Sequence, residues 1–170
     1  MSKLILDAGP LITTCKFSAA GQPVIDHILE RYKITVASSV HDEVVIAGAS
    51  YLDAQAARQR IERGQIAVLV PPPTPLEVLI APYALGDGER DSILLTEHMD
   101  LQDATLVIDD HLAYLVSDRL GRRKRFLLDV IVDLVSAERL GRDLAIEIVN
   151  TICTRYPSAF VEHTLLLLRR

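Results

Sequence analysis

The chain has 170 residues, 49% hydrophobic and 24% charged, with 18 basic against 23 acidic side chains and a formal net charge of −5. That length suits a single domain with a core that needs no crosslinks, and the composition excludes intrinsic disorder. The acidic balance excludes a uniformly basic nucleic-acid sleeve but leaves room for a local basic patch.

Taken in chain order, short apolar runs alternate with helical patterns. Residues 3–6 (KLIL) are β-rich and stop at Asp7. Residues 10–19 and 23–32 space their apolar side chains at helical period. Residues 34–37 (ITVA) form a second run, ending at Ser38–Ser39. A helix over 39–47 follows, with Ser39 as its N-cap and Asp42 as an imperfect capping-box partner. Residues 51–63 are rich in helix formers and stop at Gly64, a residue suited to a left-handed helix end. Residues 66–70 (IAVLV) form a third run, and the prolines of 71–75 form a stiff loop inside the domain. A Gly-Asp-Gly turn at 86–88 opens a helix over 88–99. Residues 105–108 (TLVI) form a fourth run ending at Asp109–Asp110, and a helix over 111–120 runs to Gly121.

Each apolar run is too short for a helix and right for a buried strand. Their alternation with helices predicts an α/β fold, a parallel sheet covered by helices on both faces. Residues 129–168 read as mainly helical. Val130, Ile131, Leu134 and Val135 make one apolar stripe, and Leu144, Ile148 and Ile152 another. Gly141 breaks the two helices, Asp143 caps the second, and Pro157 sets off a last helix with four leucines at 165–168. The reading is one domain over 1–170, with an α/β core to about residue 128 and a helical extension over about 129–170.

Cys15 and Cys153 are too few for a disulfide framework and lack metal-finger spacing, which suits a reducing compartment. The first residues carry one lysine before a short apolar run broken by Asp7, unlike a secretory signal. No apolar run approaches the roughly 18 residues of a membrane span. The expectation is a soluble, cytoplasmic protein without membrane partners.

The chemistry concentrates at strand ends. Asp7 follows the first strand, and Asp109 and Asp110 follow a later one. Glu43 lies within two turns of the second strand's end, and Glu89 and Asp91 lie in or near the first turn of the helix opening at Gly88. In open parallel sheets, ligands bind beyond the carboxyl ends of the strands. These carboxylates would therefore converge on one pocket. Crowded carboxylates repel unless cations neutralise them, and hard oxygen donors suit Mg2+ or Mn2+. Such ions support phosphodiester hydrolysis without a histidine, cysteine or serine nucleophile.

Four segments in this order, LILDAGPLI, VHDEVV, LGDGERDSILL and TLVIDDHLA, resemble the PIN domain, over roughly residues 3–130. This is the metal-dependent nuclease domain of VapC-type toxins and of RNA-processing proteins. The resemblance implies a three-layer α/β/α sandwich around a central parallel sheet, with an acidic pocket for Mg2+ or Mn2+. It implies that Asp7 is the first acidic ligand and Glu43 the second. The third is either Asp91, in the Asp-Ala-Ile-like pattern, or Glu89, in a Gly-Glu variant. The fourth is Asp110, with Asp109 beside it. Two departures stand out: Gly9 occupies a place where members often carry Ser or Thr, and Ile108-Asp109 replaces the usual Asn or Thr before the fourth acid.

Arg119, Arg122, Arg123, Lys124 and Arg125 form the main basic cluster. It could hold a nucleic-acid backbone beside the metal pocket, serve as an acidic partner's dock, or be a solvated loop. No aromatic residue interleaves it, so base stacking there is unsupported. The histidines lack metal spacing, and only His111 is expected near the pocket. The leucines of the last helix point to burial or to a homodimer surface. The expected function is a metal-dependent endoribonuclease, as the toxin of a toxin–antitoxin pair with an antitoxin protein as partner. The alternative is a PIN-like module that binds RNA or protein and cuts weakly or not at all. A phosphoacceptor receiver is a third reading, disfavoured because Asp7 is single and the third run ends in prolines.

Overall fold

The structure, a computed structural model, describes all residues 1–170. It opens with β1 (Ser2–Leu6), whose inner residues Leu4, Ile5 and Leu6 are fully buried. The helix α1 (Ala8–Lys16) starts directly after Asp7. A small hairpin, β2 (Ser18–Ala19) and β3 (Gln22–Pro23), then precedes α2 (Val24–Leu29). The expected helices over 10–19 and 23–32 are therefore shorter and are separated by a turn. Its two central residues, Ala20 and Gly21, both have positive φ (48° and 79°), the geometry that matches hairpin twist.

The strand β4 (Tyr32–Ala37) leads into α3 (Ser38–His41), which continues as a π-helical turn over Asp42–Ala47. The N-cap is Ala37, not Ser39, and no side chain caps this end. After α4 (Leu52–Glu62), Gly64 takes φ +69° as expected of a helix stop, and β5 (Ile66–Leu69) follows. The proline loop then delivers a short helix, α5 (Leu76–Ile80), that its prolines hid from the sequence pattern. The helix α6 (Asp87–Leu94) begins one residue earlier than expected and ends in a 3₁₀ turn.

Next come β6 (Thr105–Val107), α7 (His111–Arg119) and a two-residue strand, β7 (Lys124–Arg125). Three helices close the chain: α8 (Leu127–Ser136), α9 (Arg142–Ile152) and α10 (Ser158–Leu168). The cap of α9 is Gly141, with Asp143 in its first turn rather than at the cap.

The central sheet has five strands in the order β5-β4-β1-β6-β7, and every pairing is parallel. The expected sheet lacked β7, because that strand consists of two residues of the basic cluster. Helices cover both faces: α1 packs on α2 and α4, and α3 packs on α6. The fold is thus the expected three-layer α/β/α sandwich. One buried cluster joins sheet and helices, including Ile5, Leu106, Ile93, Leu134, Ile148 and Leu168. No helix is long and apolar enough to cross a membrane.

The strand order positions the site. From β1 the chain steps outward through β4 to β5, then crosses back to place β6 on the other side of β1. Connections therefore diverge between β1 and β6, and a crevice opens beyond the carboxyl ends of those two strands. The receiver reading fails here, because that fold wants its first strand between the second and the third.

Candidate active site

Asp7 and the Asp109–Asp110 pair flank that divergence. The backbone N–H of Asp7 donates to the Val107 carbonyl at 3.1 Å, so the end of β1 is pinned to the end of β6. The Asp7 side chain is 5% exposed, and its Oδ1 accepts a hydrogen bond from the Ser92 hydroxyl at 3.3 Å. Burial pushes its pKa from 3.8 up to about 7; the Ala8 amide opposes this, and the charges of Glu89 and Glu43 add to it.

Glu43 reaches the same place from the π-helical turn, a distortion that often marks functional sites. Gly88 explains how close the carboxylates come. A Cβ there would lie 3.1 Å from Glu43 Oε2 and 3.7 Å from Asp7 Oδ1. A glycine lets α6 approach both acids without pushing Glu43 aside. Glu89 stands at the third position of α6, where its Oε2 accepts the Gly86 N–H at 2.9 Å. That bond fixes the start of the helix while leaving its other oxygen free.

Asp110 caps α7, accepting the Ala113 N–H on Oδ1 at 2.8 Å. Asp109 behaves differently. Its Oδ1 accepts the Leu127 N–H at 3.1 Å, and its Oδ2 accepts the Tyr156 hydroxyl at 2.6 Å. Burial pushes its pKa up, against the pull of the Tyr156 hydrogen bond. Both of its oxygens serve internal bonds, so Asp109 ties the C-terminal helices to the site.

Asp7, Glu43, Glu89, Asp109 and Asp110 line one cavity of about 340 Å³. Asp91 does not belong to it. It lines a separate cavity with Ser38, Glu77 and Arg90, because residues two apart on a helix face opposite ways. Of the two candidates for the third acid, the structure brings Glu89 to the site.

The basic cluster is also elsewhere. Arg122 to Arg125 line a cavity with Tyr32 and Thr105, the first residues of β4 and β6, at the amino end of the sheet. Arg119 ends α7, which starts at the carboxyl end of β6. Most of these cations already have partners: Arg122 pairs with Glu97 at 2.5 Å, Lys124 with Asp118, and Arg125 with Asp133 at 2.9 Å. None of the five lines the acidic cavity.

Sequence reasoning missed Ser92, Gly88 and Tyr156. Ser92 sits three residues beyond Glu89, a helical neighbour of the site. Gly88 reads in the sequence as a turn residue and helix start, with nothing to mark it as a wall of the site. Nothing local marks Tyr156, whose partner is 47 positions away.

No three acidic, histidine or cysteine side chains stand together as a finished metal cage. The donor set nevertheless fits a hard divalent cation. All donors are carboxylate oxygens, and Asp7 is held near its proton-binding range by burial and by like charges that a cation would offset.

A family model for the PIN domain matches residues 3–162. The chain belongs to the PIN-domain family. The match extends well past the motifs at 3–130, so α8, α9 and much of α10 are part of this PIN domain. No curated protein matches the sequence significantly. PIN domains are typically metal-dependent nucleases.

Proposed function

We propose that this PIN domain is an endoribonuclease dependent on Mg2+ or Mn2+, and the toxin of a cytoplasmic toxin–antitoxin pair whose antitoxin is a protein. The observation that carries the reading is the convergence of Asp7, Glu43, Glu89 and Asp110 on one cavity at the point where the strand connections diverge. These four would hold the metal, each having a carboxylate oxygen outside the internal bonds described above. A bound divalent ion would neutralise phosphate charge and act as a Lewis acid at the scissile phosphodiester.

The chain's own residues do the rest. Asp7, buried and hydrogen-bonded to Ser92, fixes the floor of the site. Gly88 admits the backbone of α6 beside it. Asp110 is oriented by the first turn of α7. The aligned amides of that helix start favour negative charge at the cavity rim.

Cleavage of a labelled single-stranded RNA, followed with Mn2+ and Mg2+ titrations, tests the reading. Asp7→Asn and Asp110→Asn are each expected to reduce turnover at least 100-fold, roughly the loss of one preorganised electrostatic group. Undiminished metal-dependent cleavage by both variants would sink the proposal.

A second reading rests on Gly9, which lines the cavity with open space where a hydroxyl would otherwise stand. It makes the chain an RNA- or protein-binding module with weak cleavage. RNA binding without turnover across the same metal series favours it.

A further inference from the structure

A second cavity shares a wall with the acidic one. It has about 270 Å³ and is lined by Asp109, His111, Phe126, Tyr156, Pro157 and Phe160. Asp109 lines both cavities, so they lie one side chain apart at the same end of the sheet. The chain has only five Tyr, three Phe and no Trp, yet three of these side chains meet here. Phe126 stacks on Tyr114 at 4.1 Å and 4°, and Phe160 meets Phe126 edge-on at 5.9 Å and 69°. Tyr156 is held by its bond to Asp109. The aromatic walls are thus fixed before any ligand arrives, while Phe160 remains 52% exposed.

We infer that this aromatic cavity is a base-binding subsite, taking one nucleobase of single-stranded RNA while the adjoining phosphate lies at the acidic cavity. The inference rests on the endoribonuclease reading for its ligand. A volume of 270 Å³ falls just under the roughly 300–1,000 Å³ of ordinary ligand pockets, which suits one planar ring system. Every base offers a π-face to an aromatic side chain, so stacking here would hold the substrate with little sequence preference. His111, at the first position of α7, adds a polar edge that can exchange a hydrogen bond with a base. The basic cluster is less suited to this role, since Arg122, Lys124 and Arg125 are already paired with Glu97, Asp118 and Asp133 and none of the cluster lines the aromatic cavity.

The test uses the full chain and RNA trinucleotides carrying 2-aminopurine at one position, with abasic sugars at the other two, in Mg2+. Stacking quenches 2-aminopurine fluorescence on mixing, and cleavage is read separately on a gel. The expected result is saturable quenching by wild type. Phe160→Ala and Phe160→Leu should bind roughly 5- to 150-fold more weakly, the range for losing one stacked aromatic. Phe160→Trp should restore quenching, which a merely structural Phe160 would not require. Equal binding by the Leu and Trp variants, or sedimentation showing the aromatic face buried between two copies, would overturn the inference. Cleavage without quenching removes the base site and leaves the nuclease. Quenching without cleavage leaves the base site and removes the nuclease.

Discussion

Asp7 shows how one residue can make a site costly until it is filled. In the unfolded chain its carboxyl ionises near 3.8, and in the folded chain near 7. Between those values the folded state keeps a proton that the unfolded state has released. Stability therefore falls as pH rises through this window, and the loss is complete above the folded value. The three-unit gap sets an upper bound of about 4 kcal/mol on the effect. Metal-stripped protein should show a higher urea midpoint at pH 5 than at pH 8, and Asp7→Asn should shrink the difference. Mn2+ added at pH 8 should recover the midpoint in wild type only. A flat profile in wild type would contradict a buried, strained carboxyl. Gly88 makes the complementary prediction. In Gly88→Ala the new Cβ would stand 3.1 Å from Glu43 Oε2, the mobile end of an exposed side chain, and 3.3 Å from Cγ2 of the buried Val40. Each neighbour must give by a few tenths of an ångström, and the exposed Glu43 carboxylate gives more easily than the core. The variant should unfold within about 1 kcal/mol of wild type, the ordinary range for a tolerated substitution, while its Mn2+ affinity by calorimetry falls at least tenfold.

At the scale of elements, the site depends on how helices begin and bend. The π-helical turn over Asp42–Ala47 ends at Gly48, where a Cβ would lie 2.3 Å from the Val44 carbonyl oxygen. Backbone cannot give way as a side chain can. Gly48→Ala should lower unfolding free energy by about 1–3 kcal/mol, as overpacking does, and should displace Glu43; denaturant melts and Mn2+ titration check the two effects. The strands were legible because β1, β4, β5 and β6 are short apolar runs, and the acids after β1 and β6 because the end of the run is itself the signal. The helix opening at Gly86 was legible to within a residue for the same reason. The hairpin Ser18–Ala19/Gln22–Pro23 was not, since its two-residue strands leave no periodicity to read. Nor was β7, whose Lys124 and Arg125 look like a surface patch and become a strand only by pairing with Leu106 and Val107. Choosing Glu89 over Asp91 needed the rotation of α6 about its axis. Sequence spacing gave their separation but not which face met the sheet.

Across the whole molecule, the C-terminal helices are tied to the acidic end through the two bonds of Asp109. Ile148, Val149, Ile152, Val161 and Leu168 share the buried cluster with the sheet, so α9 and α10 are core rather than appendage. Their polar ties reach the same conclusion by another route: the Tyr156 hydroxyl bonds Asp109 at 2.6 Å, and the Arg155 guanidinium donates to the Thr13 hydroxyl at 3.3 Å on α1. Asp109 precedes Asp110 in the chain, so a loosened Asp109 also loosens the acid that caps α7. Tyr156→Phe removes only the hydroxyl, keeping the ring in place. It leaves a buried carboxyl oxygen without its partner and should cost about 2 kcal/mol, the usual range for hydrogen bonds to charged groups. If the helices merely decorate the fold, that loss will appear in the urea midpoint and nowhere else. If they hold the site, Mn2+ affinity and RNA cleavage will fall along with it. Tyr156→Leu should be worse in both, because it also strips the aromatic wall shared with Phe126 and Phe160. Unchanged metal affinity in Tyr156→Phe would confine the α9–α10 turn to stability and free the active site from it.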